Sequence, residues 1–515
     1  MTVFILVPGV FTGVHVWEET AARLTRAGAE ARPVALTGLD GSRGPVGPPG
    51  AAPSGVGLET HIADVVAAID SVSAAGGTAG REIVLVGHDY GIHPVLGAAD
   101  RRAERVARVV YLDAVLPRDG VPALAAVPDQ ALREQVRARA GSEGAGGELV
   151  PPGRDEWRRW GSTEGVCDAA LDRLTALAAP QPLGTLLQPL RLTGAAATVP
   201  ATGVLCTANG ASIDMVRRLV GFGDPALRFL ADPRVTFFEL PTGHWPMLSC
   251  PDELAEVLLR AAAGEGQRLK PAGTAGPSAH LRPFRLEVPK VPRERREHVD
   301  LYPPPGAEGR LPAVVFVHGG PVPAGARPTP REWPTLVGYA RYAAGRGAMG
   351  ATLDHRLHDV ADYEGAATDV ATAVELVRAD PRVDPDRIAL WFFSGSGLLT
   401  ADWLGAPPAW LRCLAATYPI LAPLPNWGLT GSRFHPADAL PHAGALPVVL
   451  TRAGLESPEI AATIKTFLAA GKDCGAAVKV VDVPNGHHGF ETADPVDEWH
   501  AAVDRAMHSV LGHLT

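Results

Sequence analysis

Two segments of the chain share one pattern, Ile83-Val-Leu-Val-Gly-His-Asp-Tyr-Gly91 and Ile388-Ala-Leu-Trp-Phe-Phe-Ser-Gly-Ser-Gly397. In each, an apolar run of buried-strand length leads to a polar residue that has glycines within three positions, and a helical stretch follows. Such a sharp strand-to-helix turn holds one side chain out over the end of a parallel sheet. The pattern therefore predicts two sheets, with Asp89 exposed over the first and Ser394 over the second.

Two further patterns also occur twice and in the same order along the chain. They are Phe4-Ile-Leu-Val-Pro-Gly-Val-Phe11 with Val314-Val-Phe-Val-His-Gly-Gly-Pro321, and Gly243-His-Trp-Pro246 with Gly486-His-His-Gly489. Similarity at this long period indicates a duplicated architecture. The segment 264–283 between the halves is rich in Gly, Pro and Ala, as linkers are. We therefore predict a first domain over 1–263, a linker over 264–283 and a second domain over 284–515.

Within each half, apolar runs of strand length alternate with helical stretches, which predicts a mostly parallel sheet with helices on both faces. The fold class is therefore α/β. The predicted strands are Thr2–Val7, Ile83–Val86, Val106–Leu112, Gly203–Cys206, Val235–Leu240, Ala313–Val317, Ile388–Phe392, Pro447–Thr451 and Val478–Val483, and the predicted helices are Val16–Ala27, Leu58–Ala75, Pro251–Ala263 and Tyr363–Ala379. Residues 117–199 interrupt the alternation and are interpreted as a lid. The Pro- and Gly-rich segment 38–57 is interpreted as a mobile surface loop near the pocket entrance that this lid would cover.

Composition and charge narrow the class of protein. Hydrophobic residues make up 46% of the chain and charged residues 20%, as in globular proteins. The net charge of −9 without a long basic stretch argues against a nucleic-acid partner. Five scattered cysteines indicate neither a disulfide framework nor a thiolate metal site, and fit a reducing cytoplasm. The apolar start is short and lacks a basic leader, and no run is long enough to span a membrane. We expect a cytoplasmic protein with a small-molecule substrate and no metal or cofactor.

The second half contains the parts of a serine hydrolase in chain order. Ser394 stands at the strand-to-helix turn, and His488 follows the last predicted strand as the natural base. Glu456 follows the penultimate strand and can orient that histidine. Backbone N–H groups of Gly395 and of the turn His318-Gly319-Gly320 can bind an oxyanion. The non-catalytic alternative is that Ser394 only caps a helix and that the histidines lie on the surface.

With these motifs, residues 284–515 resemble the dienelactone-hydrolase and carboxylesterase branch of the α/β-hydrolases. The resemblance implies an ester- or lactone-opening activity. One departure is Phe392, which stands where this turn usually begins with glycine. Placing the turn on Ser396 instead would put Leu398 where a small residue is wanted, so Ser394 is preferred.

In the first half, Asp89 occupies the nucleophile position. A carboxylate is anionic at neutral pH and needs no base to attack. Attack on an alkyl carbon gives an ordinary ester, whereas attack on a carboxylic ester gives a mixed anhydride. An aspartate at this turn therefore favours epoxides or alkyl halides as substrates. His244 would then activate the water that hydrolyses the alkyl-enzyme.

Most of residues 2–262 resembles the methylesterase and hydroxynitrile-lyase family. The resemblance is carried by Trp17, Val110-Tyr-Leu-Asp-Ala-Val-Leu-Pro117, Gln181-Pro-Leu-Gly-Thr-Leu-Leu-Gln-Pro189 and Gly243-His-Trp-Pro-Met-Leu-Ser249. That family's serine corresponds here to Asp89, its acid to Asn209 and its oxyanion His-Gly to Pro8-Gly9. Two of three triad positions are thus changed, which argues against a simple esterase in this half.

The acid partner of His244 stays open at this stage. Asp113, after the strand that follows the elbow helix, is the first candidate and Asp214 the second. Val10 and Phe11 are expected on the oxyanion side of the pocket. Substrate contacts are also expected from Tyr90, which stands where dehalogenases hold a halide-binding Trp, and from the indole N–H groups of Trp157 and Trp160. His88 and His93 are expected to pack or cap, and the predicted lid contains no tyrosine to protonate an epoxide.

Three hypotheses for Asp89 remain. It is a nucleophile toward a C–O or C–X bond, an acid/base in an elimination or cyclisation, or part of a domain kept only for binding or structure. The leading prediction for the chain is a hydrolase that opens an ester or lactone at Ser394, with a second site at Asp89. A lyase or cyclase and an inactive tandem are the alternatives, and fold alone does not choose among them. We also expect the two domains to pack together, and an oligomer is compatible with the sequence.

Overall fold

The protein is described from a computed structural model, which covers residues 1–39, 55–74, 81–127, 129–143, 147–221, 225–269, 278–424, 427–429, 431–494 and 498–515. The chain divides into two compact units. The first unit comprises residues 1–218 and 228–271, and the second comprises residues 219–227 and 272–515. Each unit contains one large sheet.

Within the described residues, the large sheet of the first unit has six strands, and all of its strand pairs are parallel. Its order is β2-β1-β3-β4-β7-β8, and a separate two-stranded pair, β5-β6, lies outside it. The strands are β1 (Thr2–Val7), β2 (Glu30–Pro33), β3 (Glu82–His88), β4 (Val106–Leu112), β5 (Glu148–Leu149), β6 (Gln181–Pro182), β7 (Ala201–Cys206) and β8 (Val235–Leu240). The accompanying helices are α1 (Glu18–Arg26), α2 (Leu58–Ala74), α3 (Ile92–Arg101), α4 (Gln130–Glu143), α5 (Asp168–Leu177), α6 (Leu183–Leu187), α7 (Ile213–Gly221), α8 (Pro246–Ser249) and α9 (Pro251–Ala262).

The sheet of the second unit has eight strands in the order β16-β15-β14-β13-β11-β12-β10-β9. Among the described strands of this sheet, only β10 pairs antiparallel, with β12 and β9. The strands are β9 (Glu294–Arg296), β10 (Val299–Tyr302), β11 (Leu311–Val317), β12 (Met349–Leu353), β13 (Val383–Phe393), β14 (Leu411–Thr417), β15 (Val448–Ala453) and β16 (Val478–Val483). The helices are α10 (Pro334–Gly345), α11 (Tyr363–Arg378), α12 (Thr400–Gly405), α13 (Pro436–Ala439), α14 (Pro458–Cys474), α15 (Phe490–Ala493) and α16 (Glu498–Gly512).

These sheets confirm the predicted α/β fold class. The central strands are buried because their side chains are apolar on both faces, as in β1, where Val3 to Val7 are fully buried. The edge strand β2, Glu30-Ala-Arg-Pro33, has no apolar run and is only half-buried, so the sequence pattern did not predict it. Strands β9, β10, β12 and β14 of the second sheet were not predicted either.

The segment predicted as a lid, 117–199, stands between β4 and β7 and contains α4, α5, α6 and the β5-β6 pair. Of the predicted loop 38–57, residues 40–54 lie outside the described residues. The described ends of the predicted linker are held in place. Gln267 exchanges two backbone hydrogen bonds with Phe237 (2.8 and 2.9 Å), and Arg282 donates to the carbonyl oxygen of Thr492 (2.8 Å). Residues 270–277 lie outside the described residues.

Two strand-to-helix turns stand at the carboxyl ends of β3 and β13, as the sequence predicts. Asp89 and Ser394 both have left-handed backbone, with φ of 49° and 51°. We call these two turns the elbows. Within the described part of the chain, no helix is long and apolar enough to cross a bilayer.

We expect Gly350→Ala to destabilise the second unit. Its Cβ would stand 2.2 Å from the carbonyl oxygen of Ala340 in α10, and neither backbone can yield easily. Overpacking of this kind costs about 1–3 kcal/mol, so the urea midpoint of that unit should fall. Gly325→Ala is the matched control, because nothing lies within 4 Å of its added Cβ. Equal midpoints for the two variants would contradict the packing of β12 against α10.

Candidate active sites

The second elbow presents Ser394 and buries its neighbours. Ser396 is fully buried, accepts a hydrogen bond from the N–H of Phe393 (3.0 Å) and donates to backbone carbonyls. This excludes the alternative placement of the turn on Ser396. Phe392 points into the core and is also fully buried. The close approaches of this elbow occur instead at Gly395, whose Cβ would stand 2.0 Å from the carbonyl oxygen of Gly320, and at Gly397.

Ser394, His488 and Glu456 form one hydrogen-bonded chain. The Oγ of Ser394 lies 2.6 Å from Nε2 of His488, and Nδ1 of His488 lies 2.6 Å from Oε2 of Glu456. The other carboxylate oxygen of Glu456 accepts the N–H of Ser457 at 2.9 Å. A carboxylate at Nδ1 fixes the tautomer in which Nε2 is free to accept the serine proton. The structure therefore brings together the three side chains that the sequence analysis selected.

The turn after β11 lies directly against Ser394. A Cβ on Gly319 would stand 2.8 Å from the Cβ of Ser394, so only glycine fits there. The imidazole of His318 stacks on that of His355, with ring centroids 3.6 Å apart. His355 also donates from Nε2 to the carbonyl oxygen of His318 (2.9 Å). Burial lowers the pKa of His318 to about 4, so both rings are neutral and rigidify this turn.

A buried carboxyl group, Glu491, is hydrogen-bonded to Tyr339 and Tyr418 and was not among the residues selected from the sequence. Glu491 is 1% exposed and accepts a hydrogen bond from Tyr339 Oη at 2.7 Å. Burial raises the pKa of Glu491 to about 7. The ring of Tyr418, at the end of β14, lies 4.9 Å from the His488 ring. No local sequence signal distinguishes Glu491 from an ordinary helix-starting glutamate.

In the first elbow, backbone N–H groups point at the carboxylate of Asp89. The N–H of Val10 lies 3.3 Å from Oδ2, and the N–H of Tyr90 also binds this carboxylate. A Cβ on Gly9 would stand 2.9 Å from Nδ1 of His88 and 3.1 Å from the Cβ of Asp89, so a larger residue here would displace one of these two side chains. In this fold the N–H groups after the nucleophile and after the first central strand form the oxyanion hole. Here they stabilise a carboxylate that is part of the protein.

His244 stands between two carboxylates. Its Nδ1 lies 2.7 Å from Oδ2 of Asp113, and its Nε2 lies 4.0 Å from Oδ1 of Asp89. Asn209 also donates to Oδ2 of Asp113 at 2.5 Å. The second candidate acid, Asp214, is exposed and pairs with Arg217, so it is not the partner of His244.

Charge controls the protonation of this cluster. Burial disfavours a charged imidazole, but hydrogen bonds and negative charge from Asp113 and Asp89 prevail and raise the pKa of His244 to about 10. Burial alone would likewise raise the pKa of Asp89, yet His244 outweighs it and lowers that pKa to about 2. His88 donates to the carbonyl oxygen of His244 (2.8 Å), and burial lowers its pKa to about 4. At neutral pH the first site therefore holds an imidazolium between two carboxylates.

A narrow cavity of about 10 Å³ opens onto Asp89, about the space of one water molecule. Its lining consists of Val10, Asp89, Tyr90, His93, Ala123, Ala126, Val127, Trp160 and Leu186, so the segment predicted as a lid supplies five of the nine residues. His93, expected only to pack or cap, is also among them.

Two expected contacts of the first site, those of Trp157 and Phe11, are corrected by the structure. Trp157 is 1% exposed and donates from Nε1 to Thr175 Oγ1 (2.9 Å), so it is a packing residue. The N–H of Phe11 is engaged by Oε1 of Gln181 (3.0 Å) and is not available to an oxyanion. Tyr90 lines the cavity, and its hydroxyl is hydrogen-bonded to Nδ1 of His61 (2.8 Å).

The chain is similar to a family model, to a relative found by sequence and to solved structures. Residues 4–257 match the model of the alpha/beta hydrolase family. A carbendazim hydrolyzing esterase of Nocardioides sp. (strain SG-4G) is 30% identical over 265 residues, which is 50% of this chain and 98% of that protein. An extracellular alpha/beta-hydrolase from a Paenibacillus species is similar at 20% identity and a TM-score of 0.40, covering 51% of this chain and 99% of its own. Esterase 2 of Thermogutta terrifontis is similar at 21% identity and a TM-score of 0.36, covering 46% and 97%.

The unfolding free energy of the first unit should fall as pH rises from 6.5 to about 10, because native His244 keeps a proton that the unfolded chain releases. The lowered pKa of Asp89 acts at acidic pH. Its contribution to the unfolding free energy is fully present above pH 3.8 and is lost as the pH falls to about 2. Urea unfolding at a series of pH values measures both. His244→Gln should remove the decline in the upper range, and Asp113→Asn should narrow it. A decline that is unchanged in His244→Gln would contradict the imidazolium.

Proposed function

This chain belongs to the alpha/beta hydrolase family, and from that premise we propose that it hydrolyses carboxylic esters or lactones at Ser394. The observation that carries the proposal is the continuous hydrogen-bonded chain from Ser394 Oγ through His488 to Glu456, with 2.6 Å at each link. The nucleophile needs a base within about 2.6–3.2 Å and an orienting group behind that base. The family model matches residues 4–257, which lie outside the Ser394 unit, so the proposal rests on the geometry of this hydrogen-bonded chain.

In the proposed reaction, Ser394 attacks the substrate carbonyl and gives its proton to Nε2 of His488. Backbone N–H groups of Gly395 and of the turn Gly319–Gly320 bind the oxygen that becomes negative. His488 then protonates the departing alcohol, and the acyl group stays on Ser394. A water that gives its proton to His488 releases the acid. For a lactone the alcohol and the acid are two ends of one product.

A second reaction is proposed for Asp89, on the observation that two backbone N–H groups and His244 surround its carboxylate. Asp89 attacks an alkyl carbon of an epoxide or alkyl halide, which forms an ester bond and breaks the C–O or C–X bond. The imidazolium of His244 gives its proton to the alkoxide of an opened epoxide; a halide leaves as the anion, and that proton goes to water. A water molecule then attacks the ester carbonyl and gives one proton to His244, while the backbone N–H groups of Val10 and Tyr90 bind the oxygen that becomes negative. The alkoxide leaves with the remaining proton of that water, and Asp89 is again a carboxylate. This is favoured over an acid/base role in elimination, since N–H groups that bind the carboxylate lower its basicity.

Ser394→Ala should abolish labelling of the protein by a fluorophosphonate probe and lower p-nitrophenyl acetate hydrolysis by at least about a thousandfold, as loss of a serine nucleophile does. Thr466→Ala, which removes an exposed hydroxyl on α14 of the same unit, is the matched control and should keep both. Carbendazim belongs in the substrate panel of both sites, because a carbendazim hydrolyzing esterase is 30% identical to this chain over 265 residues. Absence of labelling in the folded wild-type protein would count against the proposal.

For the first site, single turnover of styrene oxide or 1-bromobutane in ¹⁸O-water should place ¹⁸O in the peptide that contains Asp89, because water attacks the ester of that side chain. Asp89→Asn should end this incorporation, and Asp214→Asn, an exposed aspartate, should not change it. Peptide mass spectrometry measures the label. Label found in the product alone would argue for direct attack by water and against an alkyl-enzyme.

A further inference from the structure

The insertion between β4 and β7 is bonded to the loop that carries His244. We call residues 161–164 of the insertion the lid segment. The N–H of His244 donates to the carbonyl oxygen of Ser162 at 2.7 Å, and the N–H of Gly243 donates to that of Glu164 at 3.0 Å. The backbone of the lid segment therefore closes the open side of the histidine loop.

The contact between these two segments is too close for side chains. A Cβ on Gly161 would stand 2.4 Å from the Cβ and 2.5 Å from the Cγ of His244. A Cβ on Gly243 would stand 2.3 Å from the carbonyl oxygen of Ser162. Real Cβ atoms do not approach so closely, so each position requires glycine or a displacement of the partner. The position of the His244 ring is thus limited by the backbone of Gly161.

Asn209 joins the same lid segment to the acid of the site. Its Oδ1 accepts the N–H of Ser162 at 2.7 Å, and its Nδ2 donates to Oδ2 of Asp113 at 2.5 Å. That carboxylate oxygen also binds Nδ1 of His244. One amide side chain therefore connects the lid segment to the carboxylate that orients the histidine.

We propose that Gly161 and Asn209 are positioning residues of the first site. Through them the lid segment holds the imidazole of His244 in its orientation. The residue before Gly161 is Trp160, which lines the cavity at Asp89. A molecule that moves Trp160 on entering the cavity therefore also moves the backbone against His244. The orientation of the histidine then depends on occupancy of the cavity. Only the catalytic consequence of this coupling rests on the chemistry proposed for Asp89.

Hydrogen exchange tests the coupling between the lid segment and the loop that carries His244, because carbonyl oxygens of the lid segment protect the amides of Gly243 and His244. In the full-length protein, Asn209→Ala should speed the exchange of peptides that cover these amides about tenfold, the effect of losing one hydrogen bond of typical strength. Ser212→Ala removes an exposed cap three residues away and should leave the exchange unchanged. Wild-type exchange in Asn209→Ala would overturn the proposal.

A second measurement follows the histidine itself. In protein labelled with ¹⁵N-histidine, the Nδ1–H signal of His244, assigned by its loss in His244→Gln, should shift or broaden in Gly161→Ala. Gly141→Ala, in the same insertion on α4, has nothing within 4 Å of its added Cβ and should keep the wild-type signal. An unchanged signal in Gly161→Ala would also overturn the proposal. If Gly161→Ala does not fold, the exchange of Asn209→Ala decides.

Kinetics separate this inference from the proposed reaction. With styrene oxide, Asn209→Ala should lower kcat about 10–100-fold with little change in KM, as expected when a supporting group misplaces a base. If Asp89→Asn shows that styrene oxide is not converted at Asp89, the proposed reaction fails for this substrate. The exchange and ¹⁵N measurements still decide the coupling, since neither requires turnover.

Discussion

Both sites depend on a single residue of left-handed backbone at the end of a buried strand. For a non-glycine residue this conformation costs about 1–2 kcal/mol and persists only where the surroundings enforce it. In each unit a glycine of the elbow presses on the preceding turn. A Cβ on Gly91 would stand 2.5 Å from the carbonyl oxygen of Pro8, and one on Gly395 would stand 2.0 Å from that of Gly320. The same contact that enforces the elbow therefore places the oxyanion turn beside the exposed side chain.

The two units support the histidine with acids from different strands. The residue after β4 is Asp113 and the residue after β14 is Tyr418; both have positive φ, and each N–H donates at 2.8 Å to the next strand, to Val204 and Thr451. These strand ends are thus built alike, yet only the first carries the acid. In the second unit the acid is Glu456, after β15, and Asn209 follows the corresponding strand of the first unit, β7. Either strand end can reach Nδ1 of the histidine.

Strong local patterns made the elbows, the central strands and the Ser394, His488 and Glu456 set predictable. Val106–Leu112, Val235–Leu240 and Val478–Val483 have the predicted bounds, because continuous apolar runs are recognisable without tertiary context. Short edge strands such as β2 and β9 were not predictable, since their charged residues acquire strand structure only by pairing. Asp113 was chosen over Asp214 from chain order, and the distance of 2.7 Å to His244 agrees. The packing of Gly161 on His244 joins residues more than eighty positions apart, and no sequence pattern encodes it.

The side chain at the elbow also determines when its histidine can serve as a base. Ser394 is neutral and adds no negative charge beside His488, whose Nδ1 is hydrogen-bonded to the carboxylate of Glu456. Asp89 adds a second negative charge, and together with Asp113 it raises the pKa of His244 to about 10. A protonated imidazole cannot take a proton from water. Under the proposed chemistry, formation of the ester on Asp89 removes one of the two charges and lowers that pKa. In the first unit, therefore, His244 becomes a base only after the ester on Asp89 has formed, and this ester is what the base then helps to hydrolyse.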